Sequence, residues 1–209
     1  MKLLSVIIFA LLFTAKINSQ NIQGYGVKVG YVNTKPTYSP VPNGENIKSR
    51  DGFSISVYAD LFALNDFIFI EPELKYIQKG SIHEYFLNGP DSPNTLLNGV
   101  FNIRQNYLSV PISLVYKVYS STGSTFIKFA PRYDFLLSSN ADFSSSSASW
   151  NQYKNVFGGT VSIGYAPTIR AAVKPFIEVS YHTDFTDTYS GSLVKIHNSA
   201  VEFCFGAGF

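Results

Sequence analysis

Residues 201–209 read Val201-Glu202-Phe203-Cys204-Phe205-Gly206-Ala207-Gly208-Phe209. Apolar side chains stand at Val201, Phe203, Phe205, Ala207 and Phe209, and Glu202, Cys204, Gly206 and Gly208 take the other parity. A period of two is the mark of a β-strand whose two faces meet different surroundings.

Working back from this stretch, the same period recurs seven times. Near 173–184, Ile177, Val179 and Tyr181 oppose Glu178, Ser180 and His182. Near 155–167, Phe157, Val161, Ile163 and Tyr165 oppose Gly158, Thr160, Ser162 and Gly164. Near 124–138, Ile127, Phe129, Pro131, Tyr133, Phe135 and Leu137 oppose Lys128, Ala130, Arg132 and Asp134. Near 104–119, Leu108, Val110, Ile112, Leu114, Tyr116 and Val118 oppose Ser109, Pro111, Ser113 and Lys117. Near 67–79, Ile68, Ile70, Pro72, Leu74 and Tyr76 oppose Phe69, Glu71, Glu73, Lys75 and Lys79. Near 52–62, Phe53, Ile55, Val57, Ala59 and Leu61 oppose Ser54, Ser56, Tyr58 and Asp60. Near 24–33, Tyr25, Val27, Val29 and Tyr31 oppose Gly24, Gly26, Lys28 and Gly30.

The pattern predicts eight strands, mostly 10–15 residues long, against about 5–6 in soluble proteins and about 9–11 for a strand that crosses a bilayer. No segment shows sustained helical periodicity. Proline donates no ladder hydrogen bond, so Pro72, Pro111 and Pro131 are expected at bulges or near strand ends. Connections alternate in length. Long ones fall near 34–51, 80–103, 139–154 and 185–196, and short ones near 63–66, 120–123 and 168–172. Outer-membrane barrels show this rhythm, with short periplasmic turns and long outer loops. An even strand number then puts both termini on the periplasmic side. The expectation is an all-β, eight-stranded antiparallel up-and-down transmembrane barrel over residues 20–209.

Composition agrees. Of 209 residues only 14% are charged and 16% are aromatic, where soluble chains carry roughly 25% charged residues. A single cysteine excludes a disulfide framework and a multi-cysteine zinc site. Lys2 followed by the apolar run Leu3 to Phe13 is too short to span as a helix and fits a secretory signal peptide, with cleavage expected after Ser19. Removing residues 1–19 takes away Lys2 and Lys16, leaving 14 basic and 14 acidic residues. A neutral chain offers nothing to hold nucleic acid, and no nucleic-acid partner is expected.

A lipocalin-like barrel would turn the apolar face inward and a membrane barrel outward. The polar face here is rich in Gly, Ser and charges of both signs, which suits the narrow lumen of eight strands. Tyr31, Tyr76, Tyr116, Tyr133, Tyr165 and Tyr181 near strand ends are candidate interfacial girdles. The terminal stretch, with Phe203, Phe205 and the final Phe209, looks like the strand signal read by the barrel assembly machinery. Outer-membrane lipid and that machinery are therefore the expected partners, with an unidentified protein partner at the long outer loops.

Three further stretches carry a resemblance. They are Gly26-Val27-Lys28-Val29-Gly30, then Phe69-Ile70-Glu71-Pro72-Glu73-Leu74-Lys75-Tyr76-Ile77-Gln78-Lys79-Gly80, then Tyr107-Leu108-Ser109-Val110-Pro111-Ile112. With the terminal strand they resemble the PorT-type outer-membrane β-barrel family of Bacteroidota, from about residue 24 to the end. The resemblance implies an eight-stranded outer-membrane barrel. It implies no activity, although the namesake serves a protein secretion system.

The charges on the polar face are Lys28, Asp60, Glu71, Glu73, Lys75, Lys79, Lys117, Lys128, Arg132, Asp134, Glu178 and Glu202. They are expected to form a structural network of ion pairs, since desolvated charges must be paired. Glu71 and Glu73 share a face, but Lys75 and Lys28 are placed to neutralise them. Ser180, His182 and Asp184 also share a face, near an external loop, in the residue types of a hydrolase or acyltransferase triad. Same-face neighbours are about 6.5–7 Å apart, too far for a direct relay. His83 and His197 are assigned to different loops and suggest no metal site. Cys204 reads as a small packed thiol, and Trp150, Tyr38 and the stretch Pro36–Pro42 as exposed loops. No catalytic, cofactor or metal site is expected. The leading function is a non-enzymatic scaffold with a filled lumen. The alternatives are an accessory role in secretion, a barrel hydrolase or acyltransferase, and a soluble ligand-binding barrel.

Overall fold

The computed structural model describes residues 22–39, 45–65, 67–88, 96–143, 147–149, 154–189 and 195–209. The expected signal peptide, Trp150 and the tips of the long connections lie outside the described residues. Among the described residues nine strands occur in chain order: β1 (Ile22–Ser39), β2 (Glu45–Asn65), β3 (Ile68–Asn88), β4 (Leu96–Tyr119), β5 (Gly123–Phe143), β6 (Ser147–Ser149), β7 (Val156–Pro167), β8 (Lys174–Asp184) and β9 (Lys195–Gly208). Each pairs antiparallel with its neighbour in the order β4-β3-β2-β1-β9-β8-β7-β5, and β4 also pairs with β5. The sheet therefore closes into an eight-stranded barrel, and β6 is a short addition folded back on the upper end of β5.

The seam between first and last strands is long. It runs from Gly26 opposite Gly208 to Ser39 opposite Lys195 without a shift. At the short-turn end, Tyr25 and Phe209 exchange two backbone hydrogen bonds and stack their rings at 5.6 Å.

Two expectations are corrected. The first five strands are 18 to 24 residues long, so much of each of the first three long connections is strand and those strands rise well above the bilayer-crossing length. β7 and β8, with 12 and 11 residues, stay near that length. Tyr38 is accordingly not in an exposed loop. It faces inward from β1, with its hydroxyl 2.8 Å from His83 Nε2, and His83 lies buried on β3. Pro36 is likewise buried within β1. The extra length was hidden because Pro and Asn read as turn signals in isolation, whereas in a ladder their neighbours supply the hydrogen bonds.

The three prolines lie neither at strand ends nor at register shifts. Ladder pairing stops at Pro72 opposite Ile112 and resumes at Lys75 opposite Ser109. It stops at Pro111 opposite Arg132 and resumes at Leu114 opposite Phe129. Each gap leaves the register unchanged, so the missing donors cost hydrogen bonds but no realignment.

A true irregularity sits at Gly80. The β2–β3 register shifts between Ser49 and Ser54, and Gly80 adopts φ 154°. A Cβ there would strike the carbonyl oxygen of Ile103 on β4. Gly80→Ala is expected to cost about 1–3 kcal/mol, from disfavoured backbone plus collision. Urea unfolding midpoints of wild type and variant check it.

Candidate functional site: the charged lumen

Parity within each strand sends the charged residues to the inside. Lys28, Glu71, Lys79, Asp134 and Glu202 are each at most 1% exposed. The opposite parity makes the outer wall: Val29, Ile55, Ile112, Phe129, Ile163 and Phe205 are all more than 40% exposed.

Inside, side chains from strands distant in sequence meet in two clusters. In the first, Lys28 Nζ lies 2.5 Å from Glu73 and 3.5 Å from Glu178. Lys128 binds Glu71 at 2.6 Å and Glu178 at 3.0 Å. Lys75 joins Glu73 at 3.2 Å to Glu202 at 2.7 Å. Glu202 also accepts from Ser54 and lies 2.7 Å from His182 Nε2. In the second cluster, Lys79 reaches Asp134 at 2.7 Å and Asp184 at 3.1 Å, and Arg132 binds the same two carboxylates. Asp60 and Lys117 form a separate pair at 2.6 Å near the short-turn end. The charges named from the sequence thus meet one another, and two residues of the same polar face that were not counted among them join the network. His182 and Asp184 belong to the network, not to a site by an external loop. They continue the parity of Glu178, which was the signal available.

This placement dissolves the triad arrangement. Ser180 donates to Glu178 and pairs with Ser162, His182 spans Thr160 and Glu202, and Asp184 takes Lys79 and Arg132. No member of the triad is hydrogen-bonded to the next.

Apolar layers close the network above and below. Val32, Ile77, Tyr107, Val156 and Ala200 pack together on one side, and Phe69, Val115, Phe126 and Phe176 on the other, joined by Tyr58 and Ala166. The lower layer is built from glycine–aromatic pairs in direct cross-strand register. Phe126 faces Gly164, Phe176 faces Gly206, and Tyr58 faces Gly26. A Cβ on any of these glycines would overlap its ring, so the missing side chain is what lets the ring lie across the lumen. In the sequence these glycines read as small lumen fillers, and nothing local announces the rings they admit.

Cys204 is buried on the inner face, beside Gly30. His197 lies on β9 with Nε2 2.9 Å from Asp187, not in a loop. Among the described residues no group of three or more His, Cys, Asp or Glu is placed to hold a metal. Above the outer tyrosine row, Tyr31 and Asn33 donate to Asp51 and hold its carboxyl below the usual range. Lys48 and Asn46 do the same for Glu84.

With rings and ion pairs across the whole section, the barrel is expected to show no stable single-channel conductance in a planar bilayer. Steady unitary currents at moderate voltage would contradict a filled lumen.

No protein-family model matches the chain, and no curated protein sequence matches it. Solved structures do. The outer membrane protein OprG from Pseudomonas aeruginosa is similar over 90% of this chain and 97% of its own, with 11% identity and a TM-score of 0.50. Neisserial surface protein A covers 87% of this chain and 95% of its own, at 12% identity and a TM-score of 0.45. Ail of Yersinia pestis covers 89% and 98%, at 15% identity and a TM-score of 0.43. Taken with the closed sheet, the likeness to OprG establishes the fold as that of a small eight-stranded outer-membrane β-barrel.

Proposed function

We propose that the protein is an integral outer-membrane barrel without enzymatic activity, whose filled lumen is a rigid support for hairpins held above the bilayer. One observation carries this reading: the chain is inside out for water, with paired charges within and an apolar wall without. In lipid the wall is solvated and the lumen satisfied. A soluble ligand-binding barrel needs the reverse, an apolar interior. The polypeptide before residue 20 would serve as the export signal and the terminal Phe203, Phe205 and Phe209 as the assembly signal. Both termini would lie in the periplasm.

The PorT-type resemblance supports placing the protein among Bacteroidota barrels of that kind. An accessory role in secretion rests on that resemblance alone.

Membrane fractionation combined with gel migration tests the reading. Recovery in the outer membrane, with an apparent mass that changes on boiling in SDS, is the expected result. Recovery in the soluble periplasm, with no change on boiling, would overturn it.

A further inference from the structure

Above the apolar belt, outward-facing charge is neutralised on one side of the barrel and left over on another. Between β2 and β3, Lys48 Nζ lies 2.6 Å from Glu84. Between β1 and β2, Asp51 accepts from Tyr31 and Asn33. The seam of β1 and β9 differs. Going up from the short-turn end, its outward pairs are Val27–Ala207, Val29–Phe205, Tyr31–Phe203, Asn33–Val201, Lys35–Ser199, Thr37–His197 and Ser39–Lys195. Apolar side chains line this row up to Val201 and stop there. Lys35 and Lys195 are exposed, and neither meets a carboxylate among the described residues. Asp187 reaches the row but is taken by His197 Nε2 at 2.9 Å. The row therefore carries unmet positive charge.

Its height matters as much as its sign. Tyr25 to Asn33 is eight steps of strand, about 26 Å at 3.3 Å each. A strand tilt of about 40° turns this into about 20 Å across the membrane, close to the ~25 Å apolar band of such barrels. Lys35 thus stands just beyond the hydrocarbon, at the depth of lipid headgroups. Lys195 stands four steps higher, about 13 Å along the strand, with Thr37 midway. Lysine stems are long and lie readily along a wall, so both ammoniums can meet one anion at the level of Thr37.

We propose that this row docks the phosphate of an anionic outer-leaflet lipid. Lys35 and Lys195 supply charge-assisted hydrogen bonds, and the Thr37 hydroxyl supplies a third donor. Direction selects the source of the phosphate. These side chains point radially from the wall, so a ligand that meets them stands beside the barrel, in the leaflet, and not above it in solution. The inference rests on the outer-membrane reading and adds to it the lipid class that the protein holds against its seam.

The isotope-labelled full chain, refolded in neutral bicelles, is titrated with bisphosphorylated lipid A while backbone amide shifts are followed. Saturable shifts are expected at Lys35, Thr37, His197 and Lys195, weakened by added salt. Lipid A stripped of its phosphates should leave these amides in place. Lys35→Gln combined with Lys195→Gln is expected to weaken binding about thirtyfold, the share of two lysines at a charged surface. Lys48→Gln, which removes a lysine already paired, should keep it. Both variants lie on the exposed wall and should retain the boiling-dependent gel migration. Equal shifts from the stripped lipid, unchanged binding in the double variant, or the same shifts from inorganic phosphate at equal concentration would each overturn the proposal. So would a folded barrel with no shifts in this row. A chain that does not enter bicelles, with no mobility change on boiling, would bring down the membrane reading itself and the proposal with it.

Discussion

Lys28→Met is expected to lower the unfolding free energy in lipid vesicles by roughly 3–5 kcal/mol, the range for breaking a buried ion pair from one side. Lys28 Nζ lies within 3.7 Å of Glu71, Glu73 and Glu178. Without it, three carboxylates share what remains, Lys75 and Lys128, in a section closed to water. The loss comes from the stranded acids more than from the missing lysine. Adding Glu73→Gln should therefore recover part of the stability, and a double-mutant cycle isolates the coupling. The gap between Lys28→Met and wild type should narrow on acidification, because protonation discharges the stranded carboxylates. Urea titrations of the four cycle members at neutral and acid pH measure all of this. A cost below about 1 kcal/mol, as for exposed ion pairs, would show that water reaches the cluster.

The second large effect belongs to the outer wall. Val179 is 41% exposed and sits between Ile163 on β7 and Phe203 on β9. All three side chains point away from the lumen, in mid-belt. Val179→Arg is expected to cost about 2–4 kcal/mol in a bilayer, the penalty for a cation at the midplane. At Ser199, one outward-facing pair beyond Tyr181–Val201, or at Thr37, further up the same wall, arginine is expected to cost less than about 1 kcal/mol. The depth profile is the diagnostic, since no soluble barrel would produce it. Refolding into vesicles under urea gives each value. Equal tolerance of arginine at all three positions would remove the membrane reading.

The fold was legible because parity survives without knowledge of partners. Each strand announces its inner and outer faces locally, and eight such announcements with alternating connections leave few topologies. What was hidden depends on pairing. Phe126 and Phe176 sit on the polar parity of their strands, and nothing local says that they find Gly164 and Gly206 opposite. The upper halves of β1 to β5 were hidden for a related reason. Stretches such as Lys35-Pro36-Thr37-Tyr38 lack an apolar outer face. Above the bilayer, the outer face has no need of one. The apolar code therefore stops where lipid stops, while the hydrogen-bonded ladder goes on. His182 and Asp184 were assigned to the polar face but left out of the charge network, since they neighbour a long connection in sequence, yet β8 is short and its last residues still lie within the section of the lumen.

The ion pairs of the lumen also bear on the order of assembly. Lys28 joins β1 to Glu178 on β8, and Lys75 joins β3 to Glu202 on β9. These contacts link residues 150 and 127 positions apart, and none can form in a growing, open sheet. Until the last strand meets the first, every one of these charges keeps its water. Dehydration of the interior is thus a single late event coupled to closure of the β1–β9 seam. An unfinished barrel is a wet trough with no stored attraction between its ends. The last strand has to stay against β1 until the water leaves, and from that moment the charges lock the ring and make reopening slow.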